Sequence, residues 1–155
     1  MVETELRANA GAREYITFRI GSQYYCVDIM SVREIRGWTP ATALPRAPGY
    51  VRGVINLRGV VLPIIDLADR LGFAPAEPTA RHVIIVAQTG KQVVGLLVDA
   101  VSDIIDMAAD KLQPTPDVGS EAARAFVIGV MAIEDRMISL IALESVMPTQ
   151  VGEAA

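Results

Sequence analysis

The chain has 155 residues, of which 52% are hydrophobic and 21% are charged, so it has ample apolar material for a packed core. A formal net charge of −4 argues against a nucleic-acid partner and a polybasic membrane anchor, because both depend on clustered Lys and Arg. No apolar run approaches the roughly 20 residues that span a bilayer, the charged N-terminal stretch is unlike a secretory signal, and the single Cys26 cannot form an internal disulfide. These features predict a cytoplasmic protein without direct membrane insertion.

Short runs of alternating apolar and polar residues predict β-strands along most of the chain. In the first run, Ile16, Phe18 and Ile20 recur with a period of two, as in a strand buried on one face. Strands are expected over residues 14–20, 23–29, 54–57, 60–65, 83–87, 92–98, 101–105, 127–133 and 137–141. Short helical turns are expected over residues 67–71, 108–112 and 143–147. Asp66 and Asp110 are candidate caps of the first two turns, and residues 1–13 and 149–155 are predicted to be disordered ends.

An internal repeat relates the two halves of the chain. One set of pairs is 69 positions apart (90 − 21): Gly21 and Gly90, Gln23 and Gln92, Val32 and Val101, Ile35 and Ile104. A second set is 76 positions apart (129 − 53): Val51 and Val127, Gly53 and Gly129, Val54 and Val130, Leu67 and Leu143. A unit of about 65–75 residues has a marginal core by itself, and closing it into a small barrel removes exposed sheet edges. The predicted fold is therefore all-β, with two related small barrels that share an apolar interface and halves that meet near residues 72–80.

No catalytic or metal-binding constellation stands out in the sequence. His82 is the only histidine, and it has no Cys or His neighbour at metal-ligand spacing. Cys26 lies within an alternating strand, where packing is the usual role. The aspartates fall mostly at strand ends and helix starts, and no phosphate-binding glycine motif is present. We predict that the chain is not an enzyme, uses no cofactor or metal, and works by binding other proteins.

Two segments, residues 31–38 and 51–59, carry side chains that barrel packing alone does not explain. The first has alternating charges beside the single Trp38, and the second places Arg58 on a predicted turn, where it can pair with Glu34. An exposed pair of this kind contributes only about 0–1 kcal/mol, so its value is to orient a surface. Apolar side chains add to that surface at the expected junction of the barrels: Val32, Ile35, Val101 and Ile104. A solvated loop, with Trp38 packed against a barrel end, is the alternative interpretation.

At these residues the chain resembles the CheW family of bacterial chemotaxis coupling proteins. The matching segments are EYITFRIGSQYYCVDIMSVREIRG, PGYVRGVINLRGVVLPIIDLADRLG, KQVVGLLVDAVSDII and FVIGVMAIEDRMISLIALESV, roughly residues 14 to 147. The combination of V-x-E-I-R-G, G-V-x-N-L-R-G-x-x-x-P-x-x-D-L and V-D-x-V-S-D is specific. The resemblance implies one CheW-like domain over residues 14–148, built from two intertwined five-stranded SH3-like barrels without catalytic activity. The departures, at Trp38 and in the short linker 72–80, put the choice of partner in doubt and not the fold.

The resemblance also implies partners. Family members join the cytoplasmic tip of methyl-accepting chemotaxis receptors to the regulatory domain of the histidine kinase CheA; they are usually monomers when free and form rings with the kinase. The implied receptor surface, in a groove between the barrels, comprises Val32, Glu34, Ile35, Arg58, Val101 and Ile104. Turns or close approaches at this surface are implied for Gly53, Gly59, Gly95 and Gly129. Kinase contacts are expected at barrel ends on both halves.

Two alternatives remain open at this point. The same fold could serve a pilus- or surface-sensing kinase pathway, which genomic neighbours would distinguish from flagellar chemotaxis. A small-barrel ligand- or RNA-binding module belongs to a different class, and RNA binding would require basic residues interleaved with exposed aromatics. The net charge is negative and aromatic residues make up 5% of the chain, which favours the protein-binding interpretation.

Overall fold

A computed structural model describes residues 12–108, 111–115 and 124–148. The strands in these ranges are β1 Ala12–Ile20, β2 Gln23–Asp28, β3 Val32–Gly37, β4 Val51–Leu57, β5 Val60–Asp66, β6 Val83–Thr89, β7 Gln92–Val98, β8 Ala100–Ala108, β9 Val127–Ile133 and β10 Arg136–Ile141. The helical segments are a 3₁₀ turn, Ile29–Ser31, and two single-turn helices, α1 Leu67–Arg70 and α2 Leu143–Val146. The prediction of an all-β fold with short helical turns is confirmed.

Strand β3 is the element that the alternation of apolar residues did not predict. Its inward positions, Val32, Glu34 and Arg36, are half-buried, and two of these three are charged, so the apolar period is hidden. Strand β8 continues to Ala108, so the helical turn predicted over 108–112 is wrong at its start, and residues 109–110 with the proposed Asp110 cap lie outside the described residues. At the N-terminus, residues 12 and 13 belong to β1 and not to a disordered end. Residues 1–11 and 149–155 lie outside the described ranges.

Two five-stranded sheets exchange strands between the halves of the chain. Sheet A has the order β8-β1-β2-β10-β9, and sheet B has the order β3-β6-β7-β5-β4. Each half therefore contributes its first hairpin to one sheet and its last three strands to the other. The repeat alone would place each half in its own sheet, whereas the resemblance implied intertwining, and the observed topology agrees with the resemblance.

The strand registers obey the repeat offsets. Val32 on β3 pairs with Ala87 on β6, and its counterpart Val101 on β8 pairs with Phe18 on β1. Both pairs are related by 69 residues (101 − 32 and 87 − 18). A bulge follows in the same place in each pairing. The two sheets are thus equivalent arrangements of repeat-related strands.

The apolar core has three layers. A large cluster between the sheets includes Phe18 and Val27 from sheet A and Ile85 and Leu96 from sheet B, all almost fully buried. Separate clusters fill the interior of each sheet. Strand β1 is consequently buried on both faces over residues 15–18, and the prediction of burial on one face was wrong because the second face packs against the other sheet. Each large apolar side chain buried in this way contributes about 1.5–3 kcal/mol.

Arg70, from the first half of the chain, contacts residues of both halves at the edge of this core. The guanidinium of Arg70, on α1, lies 4.1 Å from the ring centroid of Tyr50 and 4.7 Å from that of Phe126. It also donates to the carbonyl oxygens of Ser145 and Val146 at the end of α2. The two rings occupy equivalent positions in the repeat (126 − 50 = 76). Arg70 therefore adds directional contacts to an otherwise apolar, non-directional interface.

Candidate functional site

The groups considered for catalysis have structural partners. No cluster of His, Cys, Asp and Glu within the described ranges could hold a metal ion. In the same residues, no helix is long and apolar enough to cross a bilayer. His82, just before β6, accepts from the Thr79 amide at 3.0 Å and faces the Asp99 carboxylate at 3.4 Å. Cys26 is fully buried, and burial raises the pKa of its thiol to about 12, in agreement with a packing role.

Glu34 and Arg58, which were expected to pair, are in direct contact. Strand β3 holds Glu34 on its half-buried side, and the β4–β5 turn holds Arg58 with φ of 52°. In that turn, the side-chain oxygen of Asn56 accepts from the Gly59 amide at 2.8 Å, which orients the loop. The Arg58 guanidinium lies 2.5 Å from one carboxylate oxygen of Glu34, and Arg36 lies 3.2 Å from the other. A carboxylate between two arginines is thus fixed at the end of sheet B.

The electrostatics of this pair follow from its geometry. The hydrogen bond from Arg58, followed by that from Arg36, holds the pKa of Glu34 below its usual 4.5. The same hydrogen bond raises the pKa of Arg58. Because the folded-state pKa of Glu34 is lowered, the associated stability is present above the unfolded pKa and is lost as the pH falls through the folded value. The pair is therefore intact near neutral pH.

Removing the first arginine is expected to shift the titration of Glu34. In Arg58→Met, the carboxyl pKa rises toward 4.5 but stays below it, because the Arg36 hydrogen bond remains. Carboxyl-carbon NMR titration measures this change. Arg33→Met is the matched control, since Arg33 donates to Gln88 and not to Glu34. An unchanged Glu34 titration in Arg58→Met would show that the contact does not persist in solution.

The four apolar residues of the predicted surface fall into two repeat-related pairs. Val32 and Val101 are half-buried and pack against the core between the sheets. Ile35 on β3 and Ile104 on β8 are exposed. These positions lie on edge strands of different sheets, since β3 ends the order of sheet B and β8 ends that of sheet A. The structure brings Glu34 and Arg58 together, packs Val32 and Val101 against the inter-sheet core, and leaves Ile35 and Ile104 exposed.

The four glycines serve different purposes. Gly59 has φ of 86° and forms the β4–β5 turn. Gly53 and Gly129 are buried at a close approach of two backbones, since a Cβ there would lie 2.2 Å from the Thr42 carbonyl oxygen or 2.6 Å from that of Gln113. Gly95 was expected at the binding surface, but it lies buried in the middle of β7, where a Cβ would meet two isoleucine side chains at 2.7 Å. It permits core packing and forms no turn.

A cleft of about 470 Å³ opens beside the Glu34–Arg58 pair. Its lining comprises Arg33, Glu34, Leu57, Arg58, Val60, Leu62, Val86 and Val93. The apolar floor was not predicted, because the valines at 86 and 93 come from β6 and β7 in the other half of the chain. Several highly exposed apolar side chains were also not predicted: Met30, Val60, Val61, Ile128 and Met137.

Comparison with known proteins assigns the family. The CheW-like domain description matches residues 14–151. The chain is 63% identical over 147 residues to the probable chemotaxis protein CheW of Rhizobium etli, with 95% of each covered, and 63% identical over 145 residues to the chemotaxis protein CheW of Rhizobium meliloti, with 94% of each covered. The crystal structure of the scaffolding protein TtCheW from Thermoanaerobacter tengcongensis is similar with a TM-score of 0.76 and 32% identity, covering 83% of this chain and 88% of that one. The chain therefore belongs to the CheW family, whose members are non-catalytic scaffolds.

Proposed function

We propose that this protein couples the cytoplasmic tip of methyl-accepting chemotaxis receptors to the regulatory domain of the histidine kinase CheA. Family membership and the scaffolding relative support an adaptor role. The observation that carries the receptor side is the Glu34–Arg58 pair, an oriented charged pair on the rim of a cleft whose floor is apolar. Val32 and Val101 supply half-buried apolar surface at the margins of the inter-sheet core, which suits the apolar face of a helix.

The adaptor needs no chemistry of its own to transmit a signal. A receptor state that binds this surface differently changes the free energy of the whole complex by its difference in affinity, and that difference is the energy available to bias the kinase. The continuous core between the sheets makes the chain a suitable rigid connector. We infer a cytoplasmic protein that is monomeric when free, joins rings with the kinase, and is recruited to receptor arrays through its partners.

A coupler in a pilus- or surface-sensing kinase pathway would use the same fold and the same surface. The two pathways differ in the receptors that the protein meets and not in its own architecture. Receptor genes beside its gene, of either the flagellar or the pilus type, would distinguish them.

Placing a carboxylate at the proposed receptor surface is the direct test. We expect Arg58→Asp and Val32→Asp to remain folded, as judged by circular dichroism, and to lose receptor-dependent kinase activation by at least tenfold. Arg58→Asp places two carboxylates side by side, and Val32→Asp puts a charge on the half-buried apolar margin. The assay combines the purified protein, a receptor-tip fragment and CheA, and measures kinase autophosphorylation.

Arg81→Asp is the matched control, because it makes the same charge change in the exposed turn before β6. It is expected to activate the kinase normally. Folded Arg58→Asp and Val32→Asp proteins that also activate normally would remove the surface assignment. An unmodified protein that binds neither partner would contradict the coupling function itself.

A further inference from the structure

The cleft of sheet B has an equivalent space in sheet A, because the repeat offsets assign a counterpart to each residue that lines it. The lining positions 86 and 93 correspond to 17 and 24 by the offset of 69 (86 − 17), and the remaining lining positions correspond by 69 or 76 (136 − 60). In the order Arg33, Glu34, Leu57, Arg58, Val60, Leu62, Val86, Val93, the counterparts are Ser102, Asp103, Ile133, Glu134, Arg136, Ile138, Thr17 and Tyr24. The two spaces can therefore be compared residue by residue.

In sheet A, the side chains at the equivalent positions contact one another. The guanidinium of Arg136 lies 5.0 Å from the ring centroid of Tyr24 and 3.2 Å from the carboxylate of Asp103. The Thr17 hydroxyl donates to the Asp103 backbone carbonyl at 3.0 Å and also contacts its carboxylate. Ring, cation and carboxylate thus form one connected assembly, in which the Arg136 side chain is 22% exposed.

Sheet B has the carboxylate and the cation but lacks the ring. Glu34 supplies the carboxylate, and Arg58, on the equivalent hairpin, supplies the guanidinium. The ring position is occupied by Val93 and the hydroxyl position by Val86, which leaves an apolar floor and an open cleft. The Arg58 side chain is 68% exposed, about three times the 22% of Arg136, which lies two residues further along the equivalent hairpin of sheet A than the counterpart of Arg58. Two of the four components of the sheet A assembly, the carboxylate and the cation, are therefore present in sheet B, and the ring and the hydroxyl are missing.

We propose that the sheet B cleft binds an aromatic side chain of the partner segment that docks on the Glu34–Arg58 surface. The ring rests on Val86 and Val93, and the Arg58 guanidinium covers its outer face. The partner's ring thus takes in sheet B the place that the Tyr24 ring has beside the cation and carboxylate of sheet A. A cation over an aromatic face is favourable, and the valine floor removes the ring from water. The identity of the partner rests on the proposed function, whereas the affinity of the cleft for a ring is a property of this chain alone.

NMR titration of the full-length protein with N-acetyl-L-tyrosinamide tests the cleft without any protein partner. We expect progressive shifts at the methyl groups of Val86 and Val93, with a dissociation constant on the order of 1 mM, about what so small a ligand can reach. N-acetyl-L-leucinamide, which has no ring, is expected to bind several-fold more weakly. Equal shifts with both amides, or no shift at these methyl groups, would overturn the proposal.

Filling the cleft from within provides the matched variant. Val93→Tyr places a ring where sheet A has one, and we expect it to weaken tyrosinamide binding at least tenfold while the protein stays folded. Val61→Tyr makes the same change at an exposed position outside the cleft lining and is expected to titrate like the unmodified protein. Arg58→Met, which keeps the floor and removes the cation, is expected to weaken binding several-fold. Undiminished binding in Val93→Tyr would overturn the proposal.

Receptor-tip binding is measured separately on the same proteins. A fragment that binds the unmodified protein and loses affinity for Val93→Tyr supports use of the cleft by that partner. A fragment that binds both equally overturns it. A fragment that binds neither, while tyrosinamide still binds, contradicts the coupling function and leaves the ring site standing.

Discussion

Replacing Gly53 by alanine is expected to lower the free energy of unfolding by about 3 kcal/mol. Gly53 has φ of 141°, and an added Cβ would lie 2.2 Å from the backbone carbonyl oxygen of Thr42. The backbone of β4 and that of the segment after β3 cannot separate without breaking the two hydrogen bonds between Thr42 and Val54, at 2.8 and 2.9 Å. Urea unfolding measures the change, and the melting temperature is expected to fall by about 10 °C.

Two further glycine-to-alanine substitutions serve as comparisons for this result. Gly129→Ala brings a Cβ within 2.6 Å of the Gln113 carbonyl oxygen, at the equivalent bridge in sheet A, but without a positive φ, so we expect a smaller loss. Gly37→Ala meets nothing within 4 Å and is expected to change the stability by less than about 0.5 kcal/mol. If Gly53→Ala unfolds at the same urea concentration as Gly37→Ala, the close approach does not constrain the fold.

Removing the carboxylate of Asp66 is expected to cost about 3–4 kcal/mol. This residue is 1% exposed, and its carboxylate accepts from the Arg52 guanidinium at 3.1 Å, the Asp69 amide at 3.3 Å and the Ala76 amide at 2.9 Å. Asp66→Ala leaves the partly buried Arg52 without its countercharge, removes the N-cap of α1, and releases the linker at Ala76. Thermal unfolding gives the stability, and hydrogen exchange at the Ala76 amide is expected to accelerate.

Asp66→Asn separates the charge from the cap. Its side-chain oxygen can still accept from the Asp69 amide, so we expect about half of the loss seen with alanine. The Ala76 amide is expected to stay better protected than in Asp66→Ala. Wild-type stability in Asp66→Ala, with slow exchange at Ala76, would show that the linker is held by other contacts.

The strands that were predicted correctly share one property: their apolar residues recur with a period of two, whichever partner they face. Strand β3 lacks this alternation of apolar residues. Glu34 and Arg36 occupy its inward positions, and because β3 is an edge strand these charged side chains stay half-exposed. The N-cap at Asp66 was predicted because capping depends on residues only three positions apart, and the structure confirms it.

The candidate site also has a part that could be predicted from the sequence and a part that could not. The pairing of Glu34 with Arg58 could be predicted, since one lies in a charged segment and the other on a turn with a clear glycine signal. The apolar floor of the cleft could not be predicted, because Val86 and Val93 reach it from the other half of the chain through an exchanged hairpin. Val93 and Tyr24 occupy equivalent positions in the repeat. The absence of a ring at position 93 becomes evident only when the two sheets are compared residue by residue.

By itself, the sequence determined the β class, the repeat, the short closing helices and the charged pair, because each depends on residue alternation, turn chemistry or a local spacing. Only the tertiary structure decided that hairpin β1–β2 pairs with β8 and β10, and that β6–β7 pairs with β3 and β5. Alternation specifies which face of a strand is apolar but not which strand lies beside it. That choice is made by burial across the whole chain, where the exchanged hairpins bury both of their faces at once.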